Sequence, residues 1–129
     1  MQILYSLDLN PSQPDNFLEL FWESNPAKPD VQSYTSHLVR GTREHRERID
    51  SLISAHSSHW KIDRMPPTDR NILRIGTYEL LEQAGVPPKA VINEAIEIAK
   101  KFGTTDSSTF INGVLDSIHQ ELQKTSERV

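Results

Sequence analysis

Apolar residues recur every three to four positions along most of the chain, which is the spacing of an amphipathic α-helix. No segment shows the strict two-residue alternation that a half-buried strand requires. The eight prolines fall almost entirely between the periodic segments, where helix breakers are expected. The pattern therefore predicts an all-α protein. Its helices are predicted over residues 1–7, 15–23, 31–56, 68–83, 88–102 and 107–124.

The predicted helix over residues 68–83 is apolar around much of its circumference, so it is expected to be the central and most buried helix. Glu79 falls within the main apolar arc of this helix. Because a buried carboxylate must be hydrogen-bonded or paired, Glu79 is predicted to tie two helices together.

The helix predicted over residues 31–56 is continuous, and Asp30 is its expected N-cap. We interpret His45 and His56 on this helix as core residues with satisfied hydrogen bonds rather than as metal ligands. The stripe that is predicted to face the core contains Val31, Tyr34, Leu38, His45, Ile49, Leu52 and Ile53.

The helix predicted over residues 88–102 stops at Gly103, a residue type that commonly follows a helix end. Asp106 or Ser107 is the expected cap of the last helix, and the tail after Gln123 is expected to fray. The apolar stripe of the helix over residues 88–102 contains Val91, Ile92, Ala95, Ile98, Ala99 and Phe102.

Composition narrows the class of protein. The 129 residues suit one domain, and the absence of cysteine excludes disulfides and thiolate metal sites and fits a reducing cytoplasm. No apolar run approaches the ~20 residues that span a bilayer, and the first residues lack the features of a signal peptide. The sequence contains no catalytic residue set, glycine-rich phosphate loop or metal-ligand spacing. We therefore expect a cytoplasmic binding module without cofactor or metal rather than an enzyme.

The formal net charge of −4 argues against nucleic-acid binding that depends on net charge alone. Any such binding must come from a local basic patch or from a surface shared with a partner. The arginines within residues 40–48 alternate with Glu44 and Glu47, so we interpret that face as solvated.

Two aromatic residues are candidates for contacts with a ligand. Tyr5 lies about opposite the apolar face of the first predicted helix, so it is either a stacking residue or a tyrosine packed on a neighbour with its hydroxyl in water. Phe110 lies at the edge of its apolar arc beside Gly113, which leaves room for another surface, although ordinary core packing is the alternative. Asp69 suits the positive end of its helix, and it could also face a partner.

Three stretches of the sequence resemble one known family. Residues 69–80 (DRNILRIGTYEL) resemble a helix motif of the NusB transcription-antitermination family. Residues 86–103 resemble its most recognisable stretch, and residues 106–116 are similar to the motif that follows. These linked motifs occur in the family's order and spacing and cover about residues 63–118. Weaker agreement is found at residues 2–5 and 38–41.

The resemblance implies an all-α, NusB-like fold of two three-helix subbundles packed into one domain. The subbundles would cover about residues 1–56 and 68–124, with a frayed tail over 125–129. The resemblance also implies a transcription antitermination factor that binds boxA RNA of ribosomal RNA operons and pairs with NusE, a small-subunit ribosomal protein. Other Nus factors and RNA polymerase are the further partners that it implies, and it leaves open whether the protein is a monomer or a homodimer.

The resemblance and the charges together give the candidate site residues. The candidates for RNA binding are Gln2, Tyr5, Asp106 and Phe110, which match family positions, with Lys89 and Lys101 added from their charge. The candidates for binding the protein partner are Asp69, Arg70 and Phe110.

One departure from the family is expected to weaken RNA binding. The family's first helix normally opens with an arginine-rich stretch, whereas this sequence begins at Met1 within that helix. We expect that the true start lies upstream or that the chain was shortened, and a genuine loss of RNA affinity is the third possibility. Weak binding of boxA RNA alone and tighter binding alongside NusE are therefore predicted.

Two other interpretations stay open at this point. A NusB-like RNA-binding domain also precedes ribosomal-RNA cytosine methyltransferases, but a catalytic domain should then follow, and the sequence ends at Val129. The other interpretation is a protein-interaction scaffold with little RNA binding. A salt titration separates the cases, because RNA binding weakens steeply as salt rises.

Overall fold

The fold is all-α in the computed structural model, which describes residues 28–57, 61–82, 86–104 and 106–127. No strand occurs in these ranges, which confirms the all-α prediction. The helices predicted over residues 1–7 and 15–23 lie outside the described residues. The described helices are α1 (Pro29–Glu44), α2 (Arg46–His56), a short 3-10 helix (Ile62–Arg64), α3 (Pro67–Glu82), α4 (Pro88–Phe102) and α5 (Ser107–Glu127).

Helix α3 is the central helix, as its apolar circumference predicts. It packs against α1, α2, α4 and α5. Gly76 lets α3 approach α5 closely, because a Cβ atom at this position would lie 3.1 Å from Leu115 Cδ1. The buried residues of α3 are Asp69, Asn71, Ile72, Leu73, Arg74, Gly76, Thr77, Tyr78 and Leu80.

Helices α4 and α5 close the core against α3, each with one apolar face. The removal of these side chains from water is the main force that holds the three helices together. The core side chains of these three helices that are fully enclosed, each with an exposed fraction of 0%, are Leu73, Ala99, Ile111, Leu115 and Ile118.

Helix α2 joins the centre through apolar packing and one largely buried ion pair. Its Ile49 and Ile53 are fully buried. Arg74 of α3 is 6% exposed and donates two hydrogen bonds to Asp50 of α2, from Nε to Oδ1 at 2.8 Å and from Nη2 to Oδ2 at 3.1 Å. This bidentate pairing compensates a guanidinium that would be costly to bury alone.

His56, the last residue of α2, is half-buried and hydrogen-bonded through both ring nitrogens, in agreement with the prediction of a satisfied histidine. Its Nδ1 lies 2.6 Å from Ser117 Oγ, and its Nε2 lies 2.7 Å from Glu121 Oε2. These two bonds tie the end of α2 to the side of α5.

The prediction of one continuous helix over residues 31–56 is wrong. The backbone at His45 has φ −104° and ψ 18°, so α1 ends before this residue and α2 begins after it. The ring Nδ1 and the backbone N–H of His45 both lie 3.0 Å from the carbonyl oxygen of Gly41. The side chain therefore competes with the backbone N–H for this acceptor. The apolar spacing continues across His45, and the pattern therefore does not reveal the break.

Three details of α1 also differ from the prediction. The helix begins at Pro29, and its N-cap residue is Lys28 rather than Asp30. Proline is favoured in the first turn of a helix because it has no N–H that would need a partner. Tyr34 is 49% exposed, since its ring stays at the rim of the contact with α3. His45 is exposed as well, although its ring centroid lies 5.8 Å from that of the buried Tyr78.

The ends of the last two helices agree more closely. Helix α4 spans the predicted residues, and α5 continues to Glu127, three residues beyond the predicted end. Within the described ranges, no helix is both long enough and apolar enough to cross a membrane.

Candidate nucleic-acid interface

Three helix ends meet on one side of the bundle. The hydroxyl of Ser107, at the start of α5, donates a hydrogen bond to Asp69 Oδ2, at the start of α3, over 3.0 Å. Gly103, which follows the last residue of α4, packs directly on Ser107. We call this region the three-end face, and its residues are Asp69, Arg70, Lys101, Phe102, Asp106 and Phe110.

Ser107 is the buried centre that holds these ends together. The side chain is 1% exposed, and its Oγ accepts a hydrogen bond from the backbone N–H of Thr104 over 2.9 Å. A Cβ atom at position 103 would lie 2.6 Å from this Oγ and 2.8 Å from the carbonyl oxygen of Ala99. The backbone φ of Gly103 is −97°, which any residue can adopt. Glycine is therefore needed here because a side chain would not fit, and not because of the backbone conformation.

Asp69 lies beneath the surface of the three-end face. Asp69 is 5% exposed. Its Oδ2 accepts the hydrogen bond from Ser107, whereas its Oδ1 is buried without a hydrogen-bond partner. A negative charge in the first turn of α3 is favoured by the positive end of the helix, as predicted from the sequence. The proposed role of Asp69 in partner binding stays a prediction. Because the carboxylate is enclosed, it would act by positioning residues bonded to it, such as Ser107, and not by direct contact with a partner.

Arg70 is half-buried beside Asp69 and fixes the segment that leads into α3. Its Nη1 donates a hydrogen bond to the carbonyl oxygen of Ile62 over 3.1 Å. This bond holds the 3-10 helix against the start of α3, so Arg70 has a structural role here. Its predicted role at a partner surface is not tested by this contact.

Phe110 and Asp106 lie on the open side of the same region. Phe110 is half-buried and packs against the core, and Asp106, just before α5, is exposed. A Cβ atom at Gly113, one turn after Phe110, would meet nothing within 4 Å. The structure therefore combines the two alternatives for Phe110, because the ring rests on the core and the space beside it is open.

The structure separates the two lysines that were predicted to bind RNA. Both are exposed, but Lys89 is in the first turn of α4 and Lys101 is in its last turn. Twelve residues of helix place them about 18 Å apart along the axis, so only Lys101 belongs to the three-end face. The remaining candidates, Gln2 and Tyr5, lie outside the described residues.

The sequence pattern misplaced one aromatic residue of this region. Phe102 was predicted to lie in the core stripe of α4, yet it is 53% exposed. Helical periodicity gives the direction of a side chain around the axis, but it does not show where the neighbouring helices end along that axis. Phe102 occupies the last position of α4, where it projects beyond the packing with α3 and α5.

A second group of polar and aromatic residues lies where α1 crosses α3. The hydroxyl of Tyr34 donates a hydrogen bond to Glu79 Oε2 over 3.0 Å, which confirms that Glu79 ties two helices together. His37 Nε2 pairs with Glu82 Oε1 one turn further along both helices. Burial and then the nearby carboxylate of Glu79 raise the pKa of Tyr34 to about 12, and burial raises the pKa of Glu79 above its usual value.

The sequence profile of the NusB family matches residues 1–120. The chain belongs to the NusB family.

Individual NusB proteins and solved structures agree with this assignment. The transcription antitermination protein NusB of Myxococcus xanthus is 42% identical over 128 residues, which cover 96% of this chain and 91% of that protein. NusB of T. maritima superposes with a TM-score of 0.82 at 34% identity, over 93% of this chain and 84% of that one. A structure of the antitermination factors NusB and NusE in complex with double-stranded RNA matches with a TM-score of 0.79 at 33% identity, over 92% and 89% of the two chains. The NusB-like fold expected from the three motifs is therefore confirmed.

Proposed function

We propose that this chain is a transcription antitermination factor that binds boxA-type RNA together with the ribosomal protein NusE. The observation that carries the proposal is the likeness, over 92% of this chain, to a chain in the solved complex of NusB and NusE with double-stranded RNA. Other Nus factors and RNA polymerase would complete the antitermination complex. The protein would then act in the cytoplasm as a binding factor, as a monomer or homodimer, and not as an enzyme.

The three-end face supports this function with suitable chemistry. Lys101 offers an exposed cation for a phosphate, and Phe110 offers an aromatic ring with open space at Gly113 beside it. Proteins recognise unpaired RNA by stacking bases on aromatic side chains and by pairing the backbone with cations. Asp106 is exposed in the same region and can accept hydrogen bonds from a base or from a partner.

A binding titration tests the proposal directly. We expect fluorescently labelled boxA RNA to bind this chain weakly alone and more tightly in the presence of NusE, with an affinity that falls as salt rises. Fluorescence anisotropy at several KCl concentrations measures both effects, and an RNA of scrambled sequence is the control. Equal binding of the boxA and scrambled RNAs at every salt concentration would contradict the proposal.

Two lysine variants sharpen this experiment because they lie at opposite ends of one helix. Lys101→Ala should lower the slope of log affinity against log salt by about one unit, which corresponds to the loss of one phosphate contact. Lys89→Ala should leave the slope unchanged if the RNA is confined to the three-end face. An equal change for both variants would show that the RNA extends along the whole of α4.

A protein-interaction scaffold is the second candidate function, and the net charge of −4 favours it. A scaffold of this kind would bind NusE with an affinity that does not depend on boxA RNA. The same titration therefore separates the two functions, since a scaffold shows binding of NusE and no binding of boxA RNA in its presence.

A further inference from the structure

We propose that Phe102 is a stacking platform for an unpaired base of RNA bound at the three-end face. This inference rests on the proposed function and adds a contact residue that the sequence motifs did not single out. The ring would lie against one base while a neighbouring lysine contacts the adjoining phosphate.

Phe102 lies at the end of α4, where the described helices leave it exposed. Among the described residues, the exposed large hydrophobic side chains are Tyr34, at 49%, and Phe102, at 53%. The exposure of Tyr34 is explained by its hydroxyl, which bonds to Glu79. Phe102 has no polar group that could account for its position, so its ring is available to a ligand.

The backbone beneath the Phe102 ring is held firmly. The N–H of Gly103 bonds to the carbonyl oxygen of Ala99 over 2.8 Å, which closes the last turn of α4. Ser107 packs on Gly103 and is itself bonded to Asp69 across to α3. A ring on such a fixed support loses little conformational freedom when a base stacks on it, and this favours binding.

The charges around Phe102 favour a nucleic acid as the occupant. Lys100 and Lys101 precede the ring and are exposed. Lys100 makes only a loose pair with Glu97, with 3.7 Å between Nζ and Oε1, and within the described ranges Lys101 has no ion pair. Cations in the same last turn as an aromatic ring suit a single strand, in which phosphates and bases alternate.

The surroundings of the ring fit a base better than an apolar side chain of a protein. A protein contact of high affinity usually has an apolar centre enclosed by further contact residues. Phe102 instead stands among charged and polar neighbours, with Thr104 and Asp106 exposed after it. An exposed ring face between charged and polar residues suits base stacking, which needs little apolar surface besides the ring.

Substitutions at Phe102 and Tyr34 test the inference against a matched exposed aromatic. In titrations of labelled boxA RNA with NusE present, Phe102→Leu should weaken binding about 5- to 30-fold, because leucine keeps apolar volume but has no ring face. Phe102→Tyr should retain the wild-type affinity. Tyr34→Leu, which removes an exposed ring far from the three-end face, should change the affinity less than about twofold.

Two further readouts separate stacking from other effects. The slope of log affinity against log salt should stay unchanged in Phe102→Leu, because no phosphate contact is lost. Thermal unfolding should show the same midpoint as the wild type, since the ring is exposed. A lowered midpoint together with a proportional loss of NusE binding would mean that the variant is misfolded, and Phe102→Tyr then decides the inference by retaining or losing RNA affinity.

Each result has a distinct meaning. If the wild type binds boxA RNA and Phe102→Leu binds it equally well, the inference is overturned while the proposed function stands. If the wild type binds no boxA RNA with NusE present, the proposed function fails and the inference fails with it. If Phe102→Leu weakens binding of NusE without RNA, the ring is a protein contact and the stacking role is overturned.

Discussion

The sides of α3 and its N-terminal end differ in whether nearby polar and aromatic side chains are bonded within the protein or exposed to solvent. Along the sides, Glu79 accepts a hydrogen bond from Tyr34, and Arg74 is bonded twice to Asp50. At the N-terminal end, Lys101 and Phe102 on the three-end face are exposed. The polar side chains of Glu79 and Arg74 on the sides of α3 are thus bonded to other helices, while Lys101 and Phe102 on the three-end face stay open to a ligand.

This difference follows from the geometry of a helical bundle. Neighbouring helices cover the sides of α3, so polar groups there generally need a partner within the protein. The buried hydroxyl of Thr77, which has no hydrogen-bond partner, is an exception. The ends of helices project beyond this cover and present backbone groups and last-turn side chains to solvent. We therefore expect substitutions on the sides to change stability and substitutions on the three-end face to change binding.

The largest expected effect on the sides of α3 comes from Asp50→Ala. Removal of this carboxylate leaves the largely buried Arg74 without its bidentate partner, which should lower the free energy of unfolding by about 3 kcal/mol. Urea denaturation followed by circular dichroism measures the change. Glu47→Ala is the control, because Glu47 is an exposed acid on the same helix and its loss should cost less than about 0.5 kcal/mol. A similar small cost for both variants would show that the ion pair does not stabilise the fold.

Two helical glycines provide the next contrast. At Gly41 of α1, a Cβ atom would overlap the ring of Tyr78, whereas at Gly113 of α5 it would meet nothing. Gly41→Ala should therefore lower the free energy of unfolding by about 1–3 kcal/mol through overpacking. Gly113→Ala should raise it by up to about 1 kcal/mol, because alanine is the better helix former.

Thermal unfolding of both glycine variants checks this contrast. Each replacement adds the same methyl group to an α-helix, so the difference between them isolates the effect of the space around each glycine. If Gly41→Ala were as stable as Gly113→Ala, the close approach of α1 to Tyr78 would not be a constraint on the fold.

The sequence predicted the sides of α3 well because periodicity reports the direction of each side chain around the helix axis. The central position of α3 and the role of Glu79 both followed from this information. The break at His45 was missed because it leaves the spacing of apolar residues intact, and the contact of the ring with the Gly41 carbonyl oxygen is visible only in the structure.

The three-end face was predictable only in part, because it depends on where helices end and how their ends meet. The exposure of Phe102 and the distance of Lys89 from Lys101 depend on positions along α4, which periodicity does not contain. The bond between Ser107 and Asp69 joins residues 38 positions apart, and no local pattern indicates it. Asp106 and Phe110 were identified as candidates through the family motif, while Gly113 also suggested the open space beside Phe110.

The smallest expected effect concerns Glu79, the acid that is shared between α1 and α3. Burial raises the pKa of Glu79 above its usual 4.5, and this exceeds the opposite effect of the hydrogen bond from Tyr34, while Glu94 and Glu82 raise the pKa further. The folded protein therefore holds this proton more tightly than the unfolded chain. The resulting stabilisation is complete below about pH 4.5 and is lost as the pH rises through the higher pKa of the folded state.

Glu79→Gln removes this titration and can still accept the hydrogen bond from Tyr34. The free energy of unfolding of the wild type, relative to that of Glu79→Gln, should fall between pH 4 and pH 7. The change should be below about 1 kcal/mol, because Glu79 is partly open to solvent, which screens its charge. Urea denaturation of both proteins at the two pH values measures it, and Glu47→Gln at an exposed position should run parallel to the wild type. If the free energies of unfolding of Glu79→Gln and of the wild type changed equally with pH, the carboxylate would be as well solvated in the folded state as in the unfolded chain. The side of α3 at Glu79 would then be as open to solvent as the three-end face.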